Sequence, residues 1–272
     1  MPKGFFLYTL INDIYFCPMK FSVVIIAKNE AHIIGRALAS VSSLTDDVVV
    51  VDTGSTDDTI DMCTRAGARV FKSEWLGYGA VKNLGNGKAR YNWILSLDAD
   101  EAIDDRMKQE LLSLDAVPAN SVFKINRKSF FCDKPIRYGV WGGDTVIRLF
   151  NRDVAEWDNS EVHEDLSYKG SVNFVTLAGN ILHYTVNSLS DYSNKTISYA
   201  KLSAKKYFQK GRSASLVKIY LAPVFSFFRY YIFKLGFLDG FEGYLICRTY
   251  SWYTFMKYVF LREMNREAKR AA

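Results

Sequence analysis

The sequence predicts an α/β protein with a mostly parallel sheet flanked by helices and a helical, basic, aromatic C-terminal segment. Three observations carry this. Short β-branched runs alternate with helically spaced segments over roughly the first hundred residues, the pattern of a parallel sheet covered on both faces. Two of those runs, "VVVVD" and "WILSLD", end in acids. From Ser190 onward the pattern becomes helical and cationic.

The elements follow in order. Phe21 to Ala27, "FSVVIIA", reads as a buried strand. "NEAHIIGRALASVSSL" has Ile33, Ile34, Ala37, Leu38 and Val41 at helical spacing. "DDVVVVDTGS" is a second strand that ends in a Gly/Ser turn. "TDDTIDMCTRAGA" opens with capping residues and closes near Gly67, and "RVFKSEW" is a third strand. "YGAVKNLGNGKAR" is a weak helix, because Gly85 and Gly87 lower its propensity. "YNWILSLDAD" is a fourth strand, and Glu101 to Leu114 reads as one helix. Ser121 to Tyr184 has short alternating strands and many aromatics, a mixed or antiparallel extension. Pro223 is expected to kink or start a helix in the tail.

With 272 residues, 49% hydrophobic and 24% charged, the chain can form one large domain or a domain with an appendage. The four cysteines form no C-x-x-C, which argues against a structural zinc site or a disulfide framework and for reduced thiols. From Ser190 onward, 15 Lys/Arg stand against 5 Asp/Glu, a net +10, while the rest of the chain is −4. A cationic, aromatic tail on an acidic body points to a polyanionic partner such as a membrane surface. No nucleic-acid recognition motif is present. No run of 18 apolar residues is free of charge, so a spanning helix is not supported. The apolar stretch before Met19 is interrupted by Asp13 and lacks a small-residue cleavage site, so residues 1–18 read as an N-terminal extension and Met19 as the natural start.

One local problem organises the rest. A buried strand runs into Asp98, Asp100 and Glu101. Carboxylates this close repel, and burying them unpaired is unfavourable, so a positive partner is required. Residues i and i+2 of an extended chain point the same way, and two carboxylates at a strand end suit a hard divalent cation. A solvated turn or helix N-terminus is the plainer reading. Asp52 likewise ends a buried strand before Gly54 and Ser55, and an acid there can accept hydrogen bonds from a ribose or base. There is no G-x-G-x-x-G and no G-x-x-x-x-G-K-[ST], so dehydrogenase and P-loop chemistry have no support.

In this order, "VVIIAKNEAHIIGRALASV", "VVVVDTGSTDDT" and "WILSLDADE" resemble family 2 glycosyltransferases of the Rossmann-like GT-A fold. "WGGDTVIRLFNRD", "VHEDL", "ILHYTVNSLSDY" and "LDGFEGYLICRTYSWYTFMKY" resemble the subfamily that includes lipopolysaccharide core β-1,4-glucosyltransferases. The likeness covers nearly all of residues 20–260. With it, residues 19–189 read as the catalytic domain, and the helical, basic segment over 190–272 either packs on that domain or faces the acceptor or a membrane. It also implies a UDP-sugar donor, UDP-glucose first, a divalent cation (Mn²⁺ or Mg²⁺), inversion at the sugar, and a glycan or lipid-linked acceptor in the cytoplasm or at the inner face of its membrane. By position, Ala27, Lys28, Asn29 and Glu30 line the nucleotide pocket and Asp52 contacts uridine, beside Gly54 and Ser55. Lys82 and Asn83 lie near the nucleotide and its sugar. Asp98 faces the ribose or donor sugar, with Ala99 beside it, and Asp100 holds the metal, with Asp98 and His183 as further ligands. Some relatives carry a second acid where this chain has Thr53, so one nucleotide contact is expected to be missing.

A hydroxyl acceptor needs a general base, and a carboxylate serves. Asp144, Glu164 and Asp165 are the candidates, and the family order favours Glu164. His32, His163 and His183 are the only histidines; His163 can orient Glu164, and the plainer reading of each is structural. Arg148 is either a surface or sheet-edge cation or a contact to the diphosphate or the acceptor. Trp141 and Trp157 suit either a sugar face or the core. The rival functions are a nucleotidyltransferase, which would want a Gly-rich basic loop where "AKNEAHIIGR" stands, and a non-catalytic sugar-nucleotide binder or scaffold.

Overall fold

The computed structural model describes residues 19–115, 117–158, 165–186 and 188–271. The extension read for residues 1–18, together with His163 and Glu164, lies outside them.

β1 (Phe21–Ala27) is buried along its whole length and leads to α1 (Ile34–Val41). β2 (Val48–Asp52), α2 (Thr59–Arg65), β3 (Arg69–Lys72), α3 (Tyr78–Lys88) and β4 (Trp93–Asp98) follow. β1 is parallel to β2 and β4, and β2 to β3. Strands covered on both faces need apolar residues at every position, hence the continuous runs. The registers pair Ala27 with Asp52 and Ile26 with Asp98, so three strands end level on one edge.

The segment expected as one helix from Glu101 is two elements, β5 (Glu101–Ile103) and α4 (Asp105–Ser113). Asp104 sets the boundary: its backbone is extended, and its carboxylate accepts from Met107 N at 2.9 Å, capping the helix. β6 (Ser121–Phe131), β7 (Lys134–Pro135), β8 (Asp144–Asn151), β9 (Ala155–Trp157), β10 (Leu166–Tyr168) and β11 (Asn173–Val186) form the mixed extension. The main sheet has the order β3-β2-β1-β4-β8-β6-β11-β5, with β7 on β6 and with β9 and β10 as a separate antiparallel pair. α5 (Leu189–Gln209) and α6 (Leu216–Phe228) come next. A π-helical turn over Arg229–Phe233, a 3-10 turn over Gly236–Asp239 and α7 (Gly240–Ala271) complete the chain. Pro223 lies inside α6, which continues through it.

The chain forms two compact units. One comprises the residues up to Ala99 with Ile103–Lys124 and Ile147–Gly179. The other comprises Asp100–Ala102, Ile125–Val146 and the chain from Asn180. The core of the first centres on Val24, Val51, Val81, Ile94 and Phe150. The second has one cluster around Phe131 and Ile246 and another around Ala204, Ile219 and Leu261. Trp157 belongs to the first core, while Trp141 packs on Phe131 and Tyr192 in the second unit.

α3 is regular despite its glycines, and packing gives the reason. A Cβ on Gly85 would sit 2.5 Å from Val24 Cγ1 and 3.1 Å from Val51 Cγ2, so the helix lies directly on β1 and β2. A Cβ on Gly87 would meet nothing within 4 Å. Replacing a helical Gly by Ala gains about 1 kcal/mol in propensity, whereas forcing an extra methyl into a packed core costs about 1–3 kcal/mol. Thermal unfolding should therefore show Gly87→Ala stabilised and Gly85→Ala destabilised.

The amino end of the parallel sheet is tied by Asp47, whose side chain is fully buried. Its carboxylate accepts from Ser22 Oγ (2.5 Å), Arg69 Nε (2.9 Å) and Arg90 N (2.7 Å). Burial alone would push this carboxyl up; the Arg90 amide, the Ser22 hydroxyl and the Arg69 guanidinium outweigh it and hold the carboxyl below its ordinary range. With the folded value below the unfolded one (about 3.9), the stabilisation is complete above that value and is lost as pH falls toward the folded one. Asp47→Asn should lower stability by about 3 kcal/mol at neutral pH and flatten the acid limb of the unfolding curve below about pH 4.

Candidate active site

Two loops at the carboxyl edge of the parallel strands are stitched together. After β1, Asn29 takes a left-handed conformation (φ 57°), which Asn tolerates better than most residues. Its Oδ1 accepts from Thr56 N at 2.7 Å, and its own N–H donates to Ser55 Oγ at 2.9 Å. Glu30 N donates to Thr59 Oγ1 (2.8 Å) and Ala31 N to Asp57 Oδ2 (3.1 Å). Asp52, only 1% exposed, folds its carboxylate back on the turn it begins, accepting from Gly54 N (3.0 Å) and Ser55 N (3.1 Å). Gly54 has φ 98°, which a side chain would strain. Lys28 and Asn29 are exposed at this rim. Thr53 is turned inward, its N–H on Ala27 O at 3.0 Å.

The acids after β4 each meet a cationic or ionisable partner from the chain itself. Asp98 pairs with Lys82 Nζ at 3.0 Å through Oδ1 and with Arg148 through Oδ2. The Lys82 and Arg148 side chains are 2% and 7% exposed, and that of Asp98 is 30%. Lys82 projects from α3, with its ammonium 4.7 Å from the centre of the Trp157 ring. Arg148 arrives because β8 runs antiparallel to β4, with Leu149 opposite Leu95. Asn83, next to Lys82, pairs with the Trp157 backbone in both directions: Nδ2 donates to Trp157 O (2.8 Å) and Oδ1 accepts from Trp157 N (3.0 Å). Lys82 and Asn83 thus seat α3 against β4 and β9.

In the second unit, Asp100 Oδ2 lies 3.3 Å from His183 Nε2, both side chains partly exposed. Thr185 Oγ1 is 3.0 Å from His183 Nδ1, which fixes the ring and turns Nε2 toward the acid. Glu101 is fully buried, with Arg127 Nη1 at 3.5 Å. Arg127 also binds Asp144, its Nε 2.8 Å from Oδ2. Asp165, the third candidate base, is exposed, and its N–H donates to Asp158 Oδ1 at 3.2 Å. His32 is exposed on the approach to α1.

The like-charge cluster is therefore resolved by Lys82, Arg148 and Arg127, with His183 beside Asp100. Among the described residues, no group of three or more His, Cys, Asp or Glu side chains is placed to hold a metal. Asp100 and His183 are a two-donor pair of oxygen and imidazole nitrogen, a set that suits Mn²⁺ better than the all-oxygen-preferring Mg²⁺. Asp98, engaged by two buried cations, is a weaker donor to such an ion than the sequence suggests. Arg127 went unnoticed in the sequence; its signal is a cation in a strand otherwise alternating toward the core, in a chain whose buried Glu101 demands one.

The chain belongs to glycosyl transferase family 2, whose model matches residues 22–165, and it is a glycosyltransferase of the GT-A fold. An uncharacterized glycosyltransferase of Rickettsia typhi is 27% identical over 92% of this chain and 89% of its own. The lipopolysaccharide core biosynthesis glycosyltransferase LpsC of Rhizobium meliloti is 26% identical over 86% of this chain and 89% of its own. Among solved structures, S. aureus TarS residues 1–349 covers 92% of each chain, with a TM-score of 0.45 and 13% identity.

Proposed function

We propose that the protein is a metal-dependent, inverting hexosyltransferase that moves glucose from UDP-glucose to a lipopolysaccharide-core or other cell-surface glycan acceptor. The observation that carries the reading is the end of β4, where Asp98 is clamped between Lys82 and Arg148 and Asp100 faces His183. The likeness to LpsC along most of both chains supports the acceptor class.

In this reading Ala27, Lys28, Asn29 and Glu30, with Asp52, Gly54 and Ser55, receive the uridine. Asp98 and Ala99 meet the ribose or donor sugar, and Lys82 and Asn83 hold that wall in place. Asp100 and His183 hold the divalent cation, which, when bound, offsets the charge of the departing nucleoside diphosphate. The acceptor oxygen attacks the anomeric carbon, the bond from that carbon to the β-phosphate oxygen breaks, and the configuration inverts. The hydroxyl proton passes to a carboxylate. Glu164 is our first choice for that base. Asp144 is the second, handicapped by Arg127, which occupies its Oδ2. Residues 190–272 form the acceptor- or membrane-facing segment, and the enzyme works in the cytoplasm at the inner face of its membrane.

Calorimetric titration of UDP and UDP-glucose, with and without Mn²⁺, tests the donor side. Binding that requires the metal, with UDP release that requires an acceptor, is the expected result. Failure to bind any uridine nucleotide would overturn the donor assignment.

A further inference from the structure

The second unit carries a surface that none of the residues assigned to the donor, the cation or the base occupies. α6 packs on α7 through one face, where Ser251 Oγ donates to Pro223 O at 2.9 Å and Ile219 and Ser226 are buried. The other face is apolar and open: Val217 and Tyr220 are each 66% exposed, and Phe225 is 67%. It continues into the π-helical turn, where Phe233 is 78% exposed, and onto the start of α7, where Phe241 is 70% exposed. Scattered exposed apolar residues are ordinary, but a contiguous run of large ones marks a surface made for another phase or molecule.

Charge says which. Between Ala214 and Leu238 the chain has Lys218, Arg229 and Lys234 and no acid. All three cations are exposed. The next two acids are engaged elsewhere in the same unit. Asp239 accepts from Arg137 N (3.1 Å) and Tyr138 N (2.8 Å), and Glu242 pairs with Lys134. An apolar face whose own segment carries cations and no acid complements an anionic bilayer, with aromatic rings at the acyl boundary and cations at the headgroups.

We propose that α6 and the turn after it dock the enzyme on an anionic lipid bilayer, lying in the interface. This deepens the reading of a cell-surface glycan acceptor met at the membrane face and rests on it for its purpose. Residues Leu216–Phe233 are long and apolar enough to cross a membrane by length and composition. The α-helical part, Leu216–Phe228, would span only about 20 Å of the roughly 30 Å hydrocarbon layer. Its inner face is also committed to α7 through hydroxyl groups, Ser226 and Thr254 lying 3.4 Å apart.

The test is flotation of the full chain with vesicles of phosphatidylcholine, with and without phosphatidylglycerol. The wild type should float with the anionic vesicles and lose most of that binding in high salt. A Phe225→Asp, Phe233→Asp double variant should lose at least about tenfold in partitioning, and Arg229→Glu, Lys234→Glu a comparable amount. UDP titration in the absence of vesicles should be unchanged in both, which shows that they fold. Equal, weak partitioning of wild type and variants on both vesicles would overturn the proposal. So would a dimer in sedimentation equilibrium that the same substitutions split, since the surface would then join two copies. Vesicle binding gained only when residues 1–18 are removed would assign the surface to that segment and overturn it too. Because nucleotide binding is read separately, loss of the donor reading and loss of the docking surface give different results.

Discussion

Asp98→Asn is expected to lower stability by about 3 kcal/mol, because breaking a buried ion pair from one side leaves buried charge without its counter-ion. Here two cations share the carboxylate: Lys82, 2% exposed, and Arg148, 7% exposed. The estimate is set at the lower end because the Asp98 side chain is itself 30% exposed. For a chain of this size that corresponds to a fall in Tm of roughly 6–12 °C. Asparagine keeps the shape and an acceptor oxygen, so the loss reports charge. Adding Lys82→Met should recover part of it, since a buried apolar side chain of similar length needs no counter-ion, and the two changes should couple by about 1–3 kcal/mol. UDP affinity should fall with the single change, because the wall beside the donor loosens. A Tm within about 1 °C of wild type would show that Asp98 is a surface acid and that the clamp carries no energy.

The clamp also shows how far the sequence could be read. Three acids after a buried strand state that positive charge must be near, but not whose. A bound metal satisfies that demand as well as the chain's own cations do, and Arg127 and Arg148 stand 26 and 50 residues from the acids they meet. Arg148 arrives through the antiparallel pairing of β8 with β4 and Arg127 through the place of β6 beside β8, non-local facts that no window of residues contains. Local signals were reliable where burial sets them. The runs at β1, β2 and β4 are continuous because both faces of a parallel sheet are covered. They misled where tertiary contact overrides propensity. Gly85 reads as a defect in α3, yet it is what lets the helix lie on Val24 and Val51. The break after Ile103 was legible in principle, since Asp104 is a capping residue three before Met107. The ties at Asp47 join four segments through one carboxylate, and the Asp46–Asp47 pair before a strand gives no hint of that.

Asp100→Ala should separate chemistry from folding in the opposite sense. Its side chain is 27% exposed, and its partner His183 is 3.3 Å away, so the contact contributes about 1 kcal/mol or less. Tm should therefore move little. If Asp100 and His183 hold the cation, kcat/KM for UDP-glucose should drop by about 10²–10³-fold, the scale for removing a group that stabilises developing charge. His183→Ala should fall in the same direction by a smaller factor, with Thr185→Val smaller again because it only orients the ring. The readout that distinguishes a metal ligand from a sugar contact is the metal dependence of UDP binding. In the wild type, chelation should abolish calorimetric binding and Mn²⁺ restore it, whereas in Asp100→Ala the two conditions should give the same weak isotherm. If the variant keeps its Mn²⁺-dependent affinity but loses turnover, the acid acts on the sugar or the acceptor. The charge of the diphosphate would then fall to the exposed rim lysine, Lys28, and the two-donor assignment would be withdrawn.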